Sequence, residues 1–408
     1  MRDGPLTGVT VLECSIWLFG PYGGALLGDL GADVIKVENP NSPDPARDLR
    51  FVAGYDVTLP DGRSAVFELS NRNKRSIAID LKQDRGRQLL LKLAVTSDVF
   101  LENFRPGALD RLGIGYERLT QINPQIIYAA TSGYGFKGPE AQQPALDPIG
   151  QARSGIMWAS AGPDGAPNWN SNGVADVMGA HMVAYGVVSA LAARTRTGLG
   201  QRVEISHLMA SLWLEYAAIG SATLLNLADW PRFDRGAAPN PLRNHYRCAD
   251  DEWLSLCIEE PARHWPRFCE AVGLTDLLRH SRFATWEACA DHAPDLIALL
   301  DRRFASAPRA EWEQRLRPHP ALAWDPVQRA GDLRTDPTMQ ANGYVYDIEH
   351  PRYGPVSFLD HPVQFSETPT GVRRFAPELG EHTAEILQER LGYDDDQIAD
   401  LVIAGIVT

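Results

Sequence analysis

The chain has 408 residues, 44% of them hydrophobic and 22% charged, which is ordinary for a globular protein and long enough for two or three domains. These proportions exclude a collagen, a coiled coil and wholesale disorder. The 39 basic and 52 acidic side chains give a formal net charge of −13, which opposes binding to nucleic acid or anionic membrane, because both require a positive field.

Residues 8–13 (GVTVLE) predict a buried strand. A turn at Gly20-Pro21 leads into a helix over 22–30, closed by Gly31 as a C′ glycine. Residues 32–38 (ADVIKVE) predict the next strand and complete a βαβ unit. Residues 39–61, rich in Pro and Asp, read as a long functional excursion. A strand at 76–81, a helix at 84–96 and a strand at 98–102 follow, then short helices at 108–112 and 116–121 and a strand at 125–130. This alternation predicts a mainly parallel sheet covered on both faces. Residues 139–172 are loop-rich around one helix near 149–159. Beyond them come a strong helix over 177–193, a strand over 201–205 and one long apolar helix over 206–227.

The first part of the large domain is therefore placed at 1–228, and a Pro-, Arg- and Asn-rich linker at 229–244. A small α+β domain spans 245–317. It opens with a hairpin, 245–249 and 253–258, and continues with helices over 262–272, 294–305 and 309–315, Pro294 suiting a first helical position. A Pro-rich second linker spans 318–343. The tail, 344–408, carries a hairpin (344–350 and 355–359) and helices over 383–391 and 396–404.

Several familiar sites are missing from the sequence. Gly20-Pro21-Tyr22-Gly23-Gly24 sits where a phosphate loop would, but it is no GxGxxG and Pro21 removes a donor. There is no GxxxxGK[ST] and no GxSxG. His181, His207, His245, His264, His280 and His292 show no HExxH or paired spacing and read as ordinary core or solvated histidines; His382 reads as a cap element. No metal site is expected. Cys14, Cys248, Cys257, Cys269 and Cys289 form no CxxC pair, which argues against a disulfide framework and for a reducing compartment. Glu13 interrupts the N-terminal apolar stretch, and the apolar run 178–193 contains His181 and is short for a bilayer span, so a soluble cytoplasmic protein is expected.

Asp176 stands directly before an apolar helix. The ordinary reading is an N-cap; a carboxylate fixed and kept ionised at a helix start is also suited to nucleophilic attack. Lys82, Arg105 and Arg111 lie at or beyond the carboxyl ends of predicted strands, where open α/β sheets hold ligands. A solvated charged rim explains each of them equally well.

Taken together, GPYGGALLGDLGADVIKVENP, NRNKRSIAIDLK, ENFRPGALDRLGIGYERL, GLGQRVEIS and APELGEHTAEILQERLGY resemble the class III CoA-transferase family, also called CaiB/BaiF. The resemblance covers nearly the whole chain. It implies a large Rossmann-like domain built from both chain ends, so that the tail returns to it, plus a small domain. It also implies an interlocked homodimer, or a heterodimer with a homologous subunit. By resemblance, Asp176 is the nucleophile, and CoA contacts fall on Ile16, Trp17, Leu18, Phe19, Ile79, Lys82, Asn103, Phe104 and Arg111. CoA is then a cosubstrate moved between carboxylic acids, with no metal or redox cofactor.

The sequence departs from the family pattern in three places. Asn39 replaces a common Arg after Glu38, leaving Arg47 or Arg50 to replace that phosphate contact. The glycine-rich loop of the formyl-CoA transferase branch is reduced to Gly236 in RGAAPNPLRNHY, which argues against oxalate as substrate. The His of the racemase motif GHD is replaced by Leu146, which cannot carry a proton. The alternatives are a 2-methylacyl-CoA racemase, disfavoured by Leu146, and a non-catalytic partner subunit, disfavoured by Asp176. Trp17, Phe19, Leu146, Met157 and Trp158 suggest a bulky apolar acyl pocket, or ordinary core.

Overall fold

The structure is a computed structural model that describes residues 4–161 and 165–408. The chain forms two compact units, Met1–Trp230 with Ala341–Thr408, and Pro231–Gln340.

In the larger unit the strands are β1 (Thr10–Cys14), β2 (Asp33–Glu38), the short pair β3 (Phe51–Val52) and β4 (Tyr55–Asp56), β5 (Lys74–Ala78), β6 (Val99–Glu102), β7 (Ile127–Ser132) and β8 (Arg202–Ser206). Six of them form one sheet in the order β5-β2-β1-β6-β7-β8. Every pairing in it is parallel, with Leu12 opposite Ile35 on one side and Phe100 on the other. Counted within the sheet the order is 3-2-1-4-5-6, that of a doubly wound dinucleotide-type fold, whose crevice opens where the order reverses, between β1 and β6. Strands β1, β5, β6 and β7 are buried at every position; β1, β6 and β7 are mainly apolar, as a sheet covered on both faces requires, whereas Lys74 and Arg75 of β5 are buried in ion pairs with Glu13 and Asp33.

The helices preceding the small unit are α1 (Phe19–Asp29), α2 (Ala65–Ser70), α3 (Asp84–Val95), α4 (Ala108–Arg111), α5 (Tyr116–Ile122), α6 (Asp147–Ser154), α7 (Ile156–Ala159), α8 (Val174–Thr197), α9 (His207–Leu214) and α10 (Tyr216–Leu224). Helix α1 starts three residues before the expected point: Gly20 and Pro21 lie inside its first turn, where a missing N–H is harmless, and Gly31 follows its end with φ +105°. Helix α8 is longer than the apolar run suggested. By length and composition its 24 residues could cross a membrane, but Ala175, Gly179, Ala180, Val183, Val187, Ala190 and Leu191 form a buried stripe, and the helix packs on α1.

The single apolar helix expected over 206–227 is two helices, broken at Glu215, with Trp213 and Tyr216 stacked across the break. The helix expected near 149–159 is likewise two, separated by Gly155 at φ +97°.

The small unit has a three-stranded antiparallel sheet of β9 (Arg243–Arg247), β10 (Trp253–Cys257) and β11 (Trp324–Pro326). Strand β11 lies in what the sequence offered as a linker. Pro326 is tolerated there because β11 is an edge strand, where a missing N–H faces no partner. Around the sheet stand α11 (Pro261–Val272), α12 (Trp286–Asp291), α13 (Ala293–Phe304) and α14 (Arg309–Leu316).

The returning tail adds α15 (Pro337–Ala341), which ends at the boundary between the units, the hairpin β12 (Val345–His350) and β13 (Gly354–Leu359), α16 (Thr383–Leu391) and α17 (Asp395–Ile403). Ile386, Leu387, Ile398, Leu401, Ile406 and Val407 join the main core of the larger unit. The backbone N–H of His382 donates to the Ser76 carbonyl at 2.9 Å, and that of Asp80 to Ile406 at 2.8 Å. His382 begins α16 without a side-chain cap bond. Its Nδ1 instead accepts from the Ser76 N–H at 3.2 Å, fastening the tail to β5.

Candidate active site

A cleft of about 1010 Å³ opens at the carboxyl ends of β1 and β6. The loop after β1 (Ile16 to Phe19) and the segment after β6 (Asn103 to Pro106) line it, as the topology requires. Residues 39–61 supply a third wall through Ala46, Leu49, Phe51, Val52 and Val57.

The loop after β1 is clamped from two sides. Asn103 grips the Ile16 peptide: its Oδ1 accepts the Ile16 N–H at 2.9 Å and its Nδ2 donates to the Ile16 carbonyl at 2.6 Å. The Trp17 N–H donates to Asp44 Oδ1 at 2.9 Å. Trp17 sits at φ +66°, a left-handed conformation costing a non-glycine residue about 1–2 kcal/mol.

Beneath the loop lies a charge network with no solvent exposure. The Lys36 ammonium donates to Asp44 at 2.9 Å, Glu13 at 3.4 Å and the Ser15 carbonyl at 2.9 Å. The Lys74 ammonium contacts Glu13 at 2.9 Å, the Pro21 carbonyl at 2.7 Å and Asn71 Oδ1 at 2.9 Å. All three protons of each ammonium thus have acceptors. Burial pulls both lysines down; at Lys36 the carboxylates of Asp44, Glu13 and Glu38 outweigh it and raise the group, whereas at Lys74 burial prevails. Gly24 makes room for Glu13, since a Cβ there would lie 1.9 Å from its Oε2.

Asp176 lines the cleft from the first turn of α8. It is not the N-cap that the sequence suggested. That position is Gly173, at φ +68°, where a Cβ would also press on Leu18 at 3.3 Å. The exposed N–H groups are capped from another helix: Asp147 Oδ1 accepts from Ala175 at 2.7 Å and from Asp176 at 3.2 Å. Asp147 Oδ2 in turn accepts from Gln151 at 2.6 Å. Asp147 is therefore held in a structural role, and the Asp176 side chain is left for other contacts. Its Oδ1 meets His207 Nε2 at 2.6 Å, and its Oδ2 has no hydrogen-bond partner among the described residues.

His207 is the first residue of α9, immediately after β8, and is 7% exposed. The Phe19 ring packs on its imidazole with centroids 4.3 Å apart. Sequence reasoning missed it because metal and catalytic spacings were sought, while its partner stands 31 residues earlier. The available signal was its place: a polar residue just past the carboxyl end of a predicted strand.

Of the residues singled out from sequence, Ile16, Trp17, Leu18, Phe19, Asn103, Phe104, Arg111 and Asp176 line this one cleft, and so does Arg105. Ile79 and Lys82 do not. Ile79 is fully buried and bridges Val407, and Lys82 is exposed outside the lining. Leu146 lines the cleft and is 58% exposed, whereas Met157 and Trp158 are outside it. Neither candidate for the missing phosphate contact lines the cleft: Arg47 is bidentate on Glu38 at 2.8 and 2.6 Å, and Arg50 is exposed and donates to the Gly62 carbonyl. Arg105 and Arg111 are the cations of the lining among the described residues. At the end of β6, burial pushes the Glu102 carboxyl up to about 7, although the Phe104 N–H bonds it at 2.7 Å.

The arrangement offers an ionisable carboxylate with one open oxygen, a hydrogen-bond donor on the other, apolar walls and two arginines. Comparison with known proteins fits it. Residues 6–383 match the model of CoA-transferase family III. An acyl-CoA transferase of Fusarium pseudograminearum is 34% identical, over 99% of this chain and 89% of its own length. The human succinyl-CoA:glutarate CoA-transferase is 31% identical, over 99% and 90%. The crystal structure of a CaiB/BaiF family protein from Brucella suis superimposes with a TM-score of 0.84 at 30% identity, covering 95% of this chain and all of that one. With the parallel sheet and the cleft at its carboxyl edge, these matches establish that the chain belongs to CoA-transferase family III.

Proposed function

We propose that the protein transfers CoA from an acyl-CoA to a carboxylic acid, with Asp176 as the nucleophile. The observation that carries this reading is the separation of duties between two aspartates: Asp147 caps α8, and Asp176, relieved of capping, presents an oxygen to the cleft. Asp176 attacks the donor thioester carbonyl; the carbon–sulfur bond breaks and an aspartyl anhydride and CoA thiolate form. The thiolate attacks the aspartyl carbonyl, giving an aspartyl-CoA thioester and releasing the donor acid. The acceptor carboxylate displaces the thiolate, which then attacks the acceptor carbonyl of the new anhydride and restores Asp176. The apolar walls keep water from both acyl-aspartyl species. Arg105 and Arg111 supply charge-assisted contacts for the CoA phosphates, and Trp17 and Phe104 an apolar surface.

A racemase would need acid and base on opposite faces of the substrate's α-carbon. Here the imidazole lining the cleft is bonded directly to Asp176, and Leu146 presents only hydrocarbon. A homodimer is part of the same reading: α10 is apolar yet buries none of its residues within this chain, and Trp213 and Leu214 on α9, Tyr216 and Leu224 on α10 and Leu225 after it stand exposed. A soluble cytoplasmic enzyme fits these substrates.

The test is chemical trapping. Protein incubated with an acyl-CoA and hydroxylamine should carry a hydroxamate at Asp176, found by peptide mass. Asp176→Asn should lose roughly 10⁴-fold or more in turnover while keeping its fold. An unlabelled Asp176 in active enzyme, or an active Asp176→Asn, rules out the aspartyl route.

A further inference from the structure

We infer that His207 is the oxyanion donor for the chemistry at the Asp176 carbonyl, and that it divides the two carboxylate oxygens into a held oxygen, Oδ1, and an attacking oxygen, Oδ2. The inference rests on Asp176 being the nucleophile and adds a role for a second side chain.

The geometry carries it. His207 Nε2 lies 2.6 Å from Asp176 Oδ1. An ionised carboxylate only accepts, so Nε2 holds the proton and donates it. The other ring nitrogen, Nδ1, is buried with no hydrogen-bond partner among the described residues. A proton there would be an unsatisfied buried donor, so the neutral Nε2–H tautomer is the one this pocket accommodates. The ring is fixed in place. Phe19 packs on it, and Phe19 itself fits against Gly179, where a Cβ would lie 2.3 Å from the ring. The Ser206 hydroxyl accepts the Met209 N–H at 3.1 Å and sets the start of the helix that carries the imidazole.

The held oxygen follows a defined course through the reaction. Oδ2 attacks the donor and becomes the bridging oxygen of the anhydride. When the thiolate attacks Cγ, the carbon–sulfur bond forms and the π pair of the carbonyl moves onto Oδ1. The His207 N–H, already within hydrogen-bond reach, stabilises that oxyanion without reorganisation. Collapse restores the carbonyl and breaks the Cγ–Oδ2 bond, and the donor acid leaves with Oδ2 and the electron pair. Attack by the acceptor carboxylate on the thioester passes through the same oxyanion. No proton changes hands in either step, which is why a neutral donor suffices.

The test compares His207→Phe, which keeps a ring against Phe19 but has no donor, with His207→Gln, which keeps an N–H. Removing one oxyanion donor is expected to lower kcat by about 10²–10³-fold in His207→Phe, with acyl-CoA affinity changed by less than about threefold. His207→Gln should recover to within about tenfold of wild type. If His207→Phe does not fold, His207→Ala takes its place. A folded variant without the donor but with kcat within about threefold of wild type overturns the inference, and so does an equal loss in the Gln and Phe variants, which marks a packing role. Hydroxylamine trapping on the wild type separates the two readings. A wild-type hydroxamate at Asp176 with indifferent His207 variants removes only His207 from the chemistry; no hydroxamate removes the nucleophile.

Discussion

The two units bury different materials. Under the cleft of the larger unit Glu13, Lys36, Lys74 and Asp44 are fully enclosed, four charges with each ammonium proton accounted for. The interior of the small unit is made of rings: Tyr246, Trp265, Phe268, Phe304 and Trp312 are buried, and their polar atoms go to backbone carbonyls, Trp312 Nε1 to Phe304 at 2.8 Å and Tyr246 Oη to Pro241 at 2.6 Å. A buried ion network adds little net stability over a well-packed apolar one, because desolvation offsets the attraction. It does impose geometry. Asp44 bonds Lys36 with one oxygen and the Trp17 N–H with the other, so the network sets the shape of the loop above it. The small unit's core needs only to fill space.

Breaking each interior should separate these roles. Trp312→Ala removes a fully buried indole and takes one of two donors from each of the Phe304 and Ala307 carbonyls, at a cost of about 3–5 kcal/mol. Glu13→Gln leaves two buried ammonium groups facing one carboxylate, at a similar cost of about 3–5 kcal/mol. The difference lies in the ligand. In urea titrations both variants should lose stability, but Glu13→Gln should also weaken acyl-CoA binding measured well below its midpoint, since Lys36, which holds both the Ser15 carbonyl and Asp44, loses one of its two carboxylates and is free to shift. A Glu13→Gln protein with wild-type affinity would show that the network does not shape the loop.

Glu102 sharpens the comparison through pH, being a buried acid with no cation bonded to it among the described residues. Burial raises it from 4.5 to about 7 in the folded protein. The neutral form is thus favoured in the fold. The stability it contributes is complete below about pH 4.5 and is lost as pH rises through about 7. That gap, at about 1.4 kcal/mol per pH unit, amounts to roughly 3 kcal/mol. Glu102→Gln, which still accepts the Phe104 N–H, should flatten the decline in Tm between pH 5 and 8. Parallel curves for the two proteins would show that Glu102 titrates normally.

Much of this was legible in the sequence. The apolar strands, the Gly31 stop and the small unit's hairpin follow from composition and period, because each depends on neighbours within a few residues. The motifs brought Asp176, Arg111 and the Ile16–Phe19 loop to one place. What remained hidden depends on partners far apart in the chain. Asp147 takes over a cap from 28 residues away, His207 finds Asp176 across 31, and Lys74 reaches Glu13 across 61. Strand β11 was hidden for a different reason: Pro326 marks a break in local terms and becomes acceptable only once an edge position is known.

The smallest effect on stability is expected at Trp17, where loop shape and loop chemistry can be separated. The residue stands at φ +66° and is 40% exposed, so it pays for a left-handed conformation and buries only part of its indole. Trp17→Gly relieves about 1–2 kcal/mol of backbone strain. It also adds freedom to the unfolded chain, costing about 0.4–1 kcal/mol. The apolar area that the indole buries is lost as well and offsets the remaining gain, so the urea midpoint should shift little. The glycine N–H can still donate to Asp44, and the loop should keep its course. The indole wall of the cleft is lost, however, so acyl-CoA should bind more weakly. A clear drop in stability would show that the Trp17 side chain, and not the network beneath it, holds the loop; unchanged acyl-CoA affinity would remove the indole from the binding surface.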